Sequence, residues 1–218
     1  MKFFLDTANL DQIKEANGMG ILDGVTTNPS LMAKEGIKGH DAVMQHYKDI
    51  CNIVDGDVSA EVFSTDFDSM VEEGKKLAAI DPKIIVKVPI IKDGVKAMKW
   101  FTDHGISTNC TLVFNAGQAI LAAKAGAKYV SPFIGRIDDT CWDGVQLVEQ
   151  IAHIFNVQGF KTLVLAASIR TSNHIIRCAE VGADVCTCPL DTILGLLKHP
   201  LTDSGLAKFL EDAKKTVG

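Results

Sequence analysis

The chain has 218 residues, 47% of them apolar and 22% charged, with a net charge of −5. A chain of this size buries a sizeable core, and without a strongly basic stretch neither nucleic acid nor an acidic membrane surface is an expected partner. Its longest apolar runs are far shorter than a membrane span.

The opening MKFFLDTANL has one lysine and, after it, three apolar residues before Asp6. That is no signal peptide, so a cytoplasmic location is expected. Short Val- and Ile-rich runs then recur along the chain: FFL (3–5), ILDGV (21–25), VSAEVF (58–63), IIVKVP (84–89), ISTNCTLVF (106–114), YVSPFI (129–134), TLVLAAS (162–168) and ADVCTC (183–188). Between them helical periodicity is predicted over 9–18, 40–54, 66–80, 92–104, 115–125, 139–156, 172–181 and 189–197. Asn9, with Gln12 behind it, has the look of a capping box. Gly105, Gly126 and Gly182 each precede a strand and fit the left-handed residue that ends a helix.

Strands alternating with helices predict a parallel sheet, and eight such units predict a compact (β/α)₈ TIM barrel. A doubly wound open sheet is the rival, but GxGxxG after the first strand and a P-loop are both absent. With no linker or composition shift, residues 1–218 are expected to form one domain, with 201–218 an extra helix. That helix carries an apolar stripe (Leu201, Leu206, Phe209, Leu210, Val217) that fits either its own barrel or a neighbouring subunit.

The six cysteines form no CxxC pair and read as small buried hydrophobes; Cys186 and Cys188 alternate and so share a strand face. The histidines are scattered, so no metal is expected, and no cofactor motif is present.

Barrels carry their chemistry at the C-terminal ends of strands. Seven of the eight apolar runs end in groups that ionise or hydrogen-bond: Asp6; Thr26, Thr27 and Asn28; Glu61; Lys87; Asn109 and Thr111; Ser131 with Arg136; Ser168 with Arg170. Each has a plain structural reading. Asp6 and Asn28 can cap turns, Glu61 can pair with a neighbouring lysine, and the serines can satisfy backbone groups. The arginines can be surface charges, and Lys87 can reach out of the barrel end. All of these coincidences at once make the structural account the weaker one.

Lys87 sits in IIVKVP, which reads as a strand buried on both faces, where an ammonium is costly. A free lysine amine is almost wholly protonated at pH 7, and burial in apolar surroundings lowers an amine's pKa by up to ~3 units or more. A neutral amine attacks a ketone to form a Schiff base, an electron sink for breaking an adjacent C–C bond. Asp6 and Glu61 are candidates for the proton transfers. Arg136, Arg170 and Ser168, with the helix start at Thr171 and Ser172, are candidates for holding a phosphate.

The motifs FFLDTAN (3–9), GVTTNPSL (24–31), SAEVFS (59–64), VKVP (86–89), TNCTLVFN (108–115), AKYVSPFIGRIDD (127–139), AASIR (166–170) and KHPLTD (198–203) together resemble the transaldolase family. The resemblance is to the short branch that also contains the fructose-6-phosphate aldolases. It implies a barrel and a metal-free Schiff-base mechanism in which Lys87 is the Schiff-base lysine and Asp6 the acid/base for the C4 hydroxyl. Glu61 and Thr111 then hold the catalytic water. Asn28, Asn109 and Ser131 contact the dihydroxyacetone part, and Arg136, Ser168 and Arg170 bind phosphate. The family's aldolases carry glutamine in place of Glu61 and tyrosine in place of Phe133. Both residues here follow the transaldolase pattern. Ile169 and the stretch CTCP (186–189) are departures expected to be tolerated.

The expected activity is transfer of a dihydroxyacetone unit from sedoheptulose 7-phosphate to glyceraldehyde 3-phosphate, giving erythrose 4-phosphate and fructose 6-phosphate. The alternative is a fructose-6-phosphate aldolase. A non-catalytic sugar-phosphate binder is a third reading, but it does not require a buried amine. The resemblance also implies a homo-oligomer, a pentamer or decamer.

Overall fold

A computed structural model describes residues 1–217 of the chain; Gly218, the last residue of the expected terminal helix, and the side chain of Val217 lie outside the description. The strands are β1 (Lys2–Asp6), β2 (Gly24–Thr26), β3 (Asp57–Glu61), β4 (Ile84–Pro89), β5 (Thr108–Val113), β6 (Tyr129–Pro132), β7 (Leu163–Ala166) and β8 (Val185–Cys188). They pair in parallel in chain order, and β8 closes on β1, so the sheet is a closed eight-stranded barrel. The open-sheet alternative is thereby set aside.

The α-helices are α1 (Leu10–Gly18), α2 (Pro29–Lys34), α3 (His40–Ile53), α4 (Phe67–Ala78), α5 (Lys92–Asp103), α6 (Ala116–Lys124), α7 (Ile134–Asp138), α8 (Gly144–Gln158), α9 (Ser172–Glu180), α10 (Leu190–Leu194) and α11 (Pro200–Val217). A 3₁₀ turn, Gly195–Leu197, follows α10. The helices depart from the sequence expectation in two places. α2 was not foreseen; Asn28 caps it by accepting from the Leu31 N–H, with Pro29 at its first position. The helix expected over 139–156 begins only at Gly144 and runs to Gln158 (α8), because Cys141 takes a left-handed φ of 64° and Asp143 is its N-cap, and the short α7 ahead of it was not expected. Ile134, expected in a strand, starts α7. The second strand begins at Gly24 instead of Ile21.

Local chemistry explains most helix ends. Gly105, Gly126 and Gly182 have the expected positive φ, 73°, 87° and 89°. Asn9 caps α1, accepting from the N–H groups of Asp11 and Gln12, but the Gln12 side chain accepts from Thr7 Oγ1 and does not close the box. The complete capping box is Asn115 with Gln118 at α6.

Alternation along the strands divides the interior in two. Outward residues such as Val86, Val88, Cys110, Val130, Cys186 and Cys188 pack beneath the helices in the main core, with Tyr47, Met70, Met98 and Phe101. Inward residues Phe4, Ile85, Tyr129, Leu165 and Val185 form a separate apolar cluster inside the barrel. Phe4 and Tyr129 meet edge to face at 5.8 Å, and the Tyr129 hydroxyl donates to Asp57 at 2.6 Å. Burial, with that bond to Asp57 adding to it, drives the Tyr129 phenol far above its ordinary pKa. Gly24 is required here, because a Cβ would lie 2.5 Å from the Phe4 ring and 2.6 Å from the Asp57 carbonyl oxygen.

The stripe on α11 does not lie on its own barrel. Leu201 and Phe209 are 74% and 73% exposed, and Leu206 and Leu210 are exposed as well. Among the described residues no helix is long and apolar enough to cross a membrane.

Candidate active site

Above the apolar cluster, toward the C-terminal ends of the strands, the inward positions turn polar. A cavity of about 120 Å³ opens there, and Asp6, Asn28, Lys87, Phe133, Arg136 and Ser168 are on its wall. These come from β1, β4 and the segments that follow β2, β6 and β7, so one mouth gathers groups far apart in sequence. A larger groove of about 990 Å³ lies outside, beside α7 and α8, with Trp142 and His153 on its wall. Among the described residues no buried ion pair lies on its wall, so the candidate site is placed at the smaller cavity.

Lys87 is buried, and its Nζ lies 3.0 Å from Glu61 Oε2. Glu61 and Lys87 are register partners on β3 and β4, which holds the two side chains side by side on the inner face. The Glu61 backbone N–H donates to the Tyr47 hydroxyl. The apolar surroundings expected for Lys87 are corrected here. Its β-branched neighbours Val86 and Val88 face the helices, whereas Lys87 itself enters a polar layer with a carboxylate already beside it.

Asp6 ends β1 and accepts a hydrogen bond from Thr26 Oγ1 at 2.7 Å. Thr26 Oγ1 lies in turn 2.6 Å from Thr187 Oγ1. The Asp6 carboxyl is held above its ordinary pKa because desolvation outweighs the opposing pull of Lys87 and the Thr26 bond.

A second polar chain crosses the barrel. Ser131 Oγ donates to Asn109 Oδ1 at 2.7 Å, and Asn109 Nδ2 donates to Ser59 Oγ at 3.1 Å, all three residues being buried. This fixes the orientation of the Asn109 amide. Thr111 is buried on the same strand, and its Oγ1 has no hydrogen-bond partner among the described residues. A bulge with left-handed Leu112 (φ 61°) follows it.

On the other side of the cavity the Phe133 ring lies between Phe114, with centroids 5.7 Å apart, and the Arg136 guanidinium, 5.0 Å from its centroid. Ser168 is held at φ 58°, a conformation a serine rarely adopts. Arg170 is not on the cavity wall. Its guanidinium grips Asp139 with a fork of 2.5 Å and 2.6 Å bonds, which holds the Asp139 carboxyl below its usual pKa. Gly135 makes room for that stem, since a Cβ there would lie 2.6 Å from Arg170 Nε. The start of α9 at Thr171 and Ser172 is the helix start expected to help hold a phosphate. Thr171 caps α9 and Ser172 donates to the Thr192 carbonyl at 2.9 Å.

Lys87, Glu61 and Asp6 thus meet at one barrel mouth. The family model for transaldolase and fructose-6-phosphate aldolase matches residues 3–218. The chain belongs to the transaldolase/fructose-6-phosphate aldolase family. It is similar to proteins named "probable transaldolase" from Cytophaga hutchinsonii, 68% identical over 218 residues with both chains fully covered, and from Bacteroides fragilis, 67% identical over 215 residues and 99% of each chain. A third of that name, from Bacteroides thetaiotaomicron, is 66% identical over 218 residues and the whole of both chains.

Two polar residues of the site, Ser59 and Thr187, were not named from the sequence, and Thr26 was named at a strand end without a role. The signal for Thr187 was present in VCTC. If Cys186 and Cys188 share the outer face, the residue between them points inward.

Proposed function

We propose that the chain is a transaldolase working through a Schiff base on Lys87. The observation that carries this reading is the ion pair of buried Lys87 with the mostly buried Glu61, with Asp6 on the same cavity as Lys87. The ammonium gives its proton to the adjacent Glu61 carboxylate, and the amine then attacks the ketone carbon of the sugar phosphate. Water leaves the carbinolamine, with Glu61 and Thr111 handling the proton transfers; the buried, unpartnered Thr111 hydroxyl supports a role in holding that water. Asp6 takes the proton of the C4 hydroxyl, the C3–C4 bond breaks, and its electron pair moves into the iminium. An aldose leaves. The enzyme-bound dihydroxyacetone carbanion adds to the aldehyde of a second sugar phosphate, and hydrolysis frees Lys87.

Asn28, Asn109 and Ser131 hold the dihydroxyacetone hydroxyls in this reading. Arg136 and Ser168 hold phosphate at the cavity, and Arg170 joins them once it exchanges Asp139 for the phosphate. Phe133 has no hydroxyl with which to protonate the carbanion, which supports transfer over release. The donor is sedoheptulose 7-phosphate and the acceptor glyceraldehyde 3-phosphate, in the cytoplasmic non-oxidative pentose phosphate pathway. The exposed α11 stripe supports assembly into a pentamer or decamer, with a second copy covering Phe209 and its neighbours. Sedimentation of the intact chain against Phe209→Glu tests the assembly.

Product analysis from fructose 6-phosphate tests the activity. Sedoheptulose 7-phosphate formed only when erythrose 4-phosphate is added, with little free dihydroxyacetone without it, is the expected result. Steady dihydroxyacetone release without acceptor would make the protein an aldolase.

A further inference from the structure

Thr187 on β8 and Thr26 on β2 belong to strands that do not pair with each other, since β1 runs between them. Their hydroxyls nevertheless meet inside the barrel at 2.6 Å, and both residues are only 2% exposed. A threonine hydroxyl has one proton. Thr26 gives its proton to the Asp6 Oδ1 acceptor at 2.7 Å, so the proton in the Thr187–Thr26 contact belongs to Thr187. The chain therefore has a direction, from Thr187 to Thr26 to Asp6.

We propose that Thr187 is a positioning residue which, acting through Thr26, fixes the Asp6 carboxylate so that Oδ1 is engaged and Oδ2 is turned to the substrate hydroxyl. This inference rests on the reading of Asp6 as the base for that hydroxyl. A hydroxyl that accepts a hydrogen bond becomes a better donor, and bonds to an ionised acceptor are the strong ones. Thr187 thus stabilises the ionised form of Asp6 without touching it. Among the described residues no side chain donates to Oδ2, and both threonines reach the cavity wall beside Asp6. The charged groups around Asp6 are Lys87 from β4, with Glu61 of β3 paired to it, and Arg136 of α7 at the cavity rim. All three stay unchanged in Thr187 variants. The threonine methyl is not the active feature, because a serine in its place keeps the chain intact.

The test compares the intact protein with Thr187→Val and Thr187→Ser. Two readouts are used: the Asp6 carboxyl carbon titrated by NMR without substrate, and kcat and KM for fructose 6-phosphate with erythrose 4-phosphate across pH. Thr187→Val is expected to raise the Asp6 titration midpoint. It should also move the acid limb of kcat upward and lower kcat about fivefold at pH 7 with KM little changed, which is the worth of one net hydrogen bond. Thr187→Ser restores all of these. A midpoint unmoved in Thr187→Val, or Thr187→Ser as impaired as Thr187→Val, overturns the proposal. If Thr187→Val does not fold, Thr187→Ala is titrated in its place against the same criterion. The NMR readout needs no turnover. Failure of wild type to transfer a three-carbon unit would therefore refute the activity and leave the hydrogen-bond chain separately judged.

Discussion

Glu61 and Lys87 are register partners on adjacent strands, and their charged ends meet at 3.0 Å inside a barrel whose interior below them is apolar. Removing one member of such a pair leaves the other charge buried alone, at a cost of about 3–5 kcal/mol. Lys87→Met is expected to lose about 3 kcal/mol in urea unfolding, and Lys87→Met with Glu61→Gln to recover part of it. Additive losses would show that the two groups do not interact in solution. Lys87→Ala is also expected to abolish borohydride trapping of substrate.

Phe133 packs between Phe114 and Arg136 on the cavity wall. Phe133→Tyr adds a hydroxyl where a carbanionic intermediate would wait. The ratio of free dihydroxyacetone to transferred product is expected to rise about tenfold or more, at the low end of what a positioned acid contributes. An unchanged ratio would mean that another feature keeps water from intercepting the intermediate.

Asp6 makes stability depend on pH in a definite direction. The folded state holds its proton more tightly than the unfolded chain does, so between the unfolded pKa and the raised folded one the native state binds more protons. Stability from this group is therefore greatest below the unfolded pKa and falls as pH rises through that window. Asp6→Asn removes this dependence. Urea midpoints measured from acid to neutral pH should fall less steeply in the variant, while the reaction loses at least about 10²-fold in rate. Parallel midpoint curves for the two proteins would contradict the raised pKa.

Gly24→Ala pushes a methyl against both the Phe4 ring and the Asp57 carbonyl oxygen. The ring could turn, but the backbone oxygen belongs to the next strand of a closed barrel. A loss of about 3 kcal/mol is expected, the upper range for overpacking, and a loss well under 1 kcal/mol would show that β3 yields.

The barrel was legible because its signal is repeated: eight apolar runs separated by helical periodicity leave few topologies. Lys87, Glu61 and Asp6 stood out because a charged residue late in an apolar run is unusual. Ser59 and Thr187 did not, and Thr26 showed only as a strand-end group without a role, since a buried hydroxyl costs little when satisfied and threonine suits any strand. Their partners lie on strands distant in sequence, and no local pattern reports such a meeting. The pairing of Arg170 with Asp139 was hidden for the same reason. α2 was missed because a six-residue helix has too few turns to show a period, and its evidence was the Asn28-Pro29 start alone.

The floor made by Phe4, Ile85, Tyr129, Leu165 and Val185 has a consequence for traffic. A barrel sealed at one end is a blind alley with a single door. In a transfer between two sugars, the first aldose must back out through the doorway by which the second will come. In the proposed transfer the three-carbon cargo stays tethered to Lys87 throughout that exchange, so the order of events is set by the shape of the room before any rate constant enters.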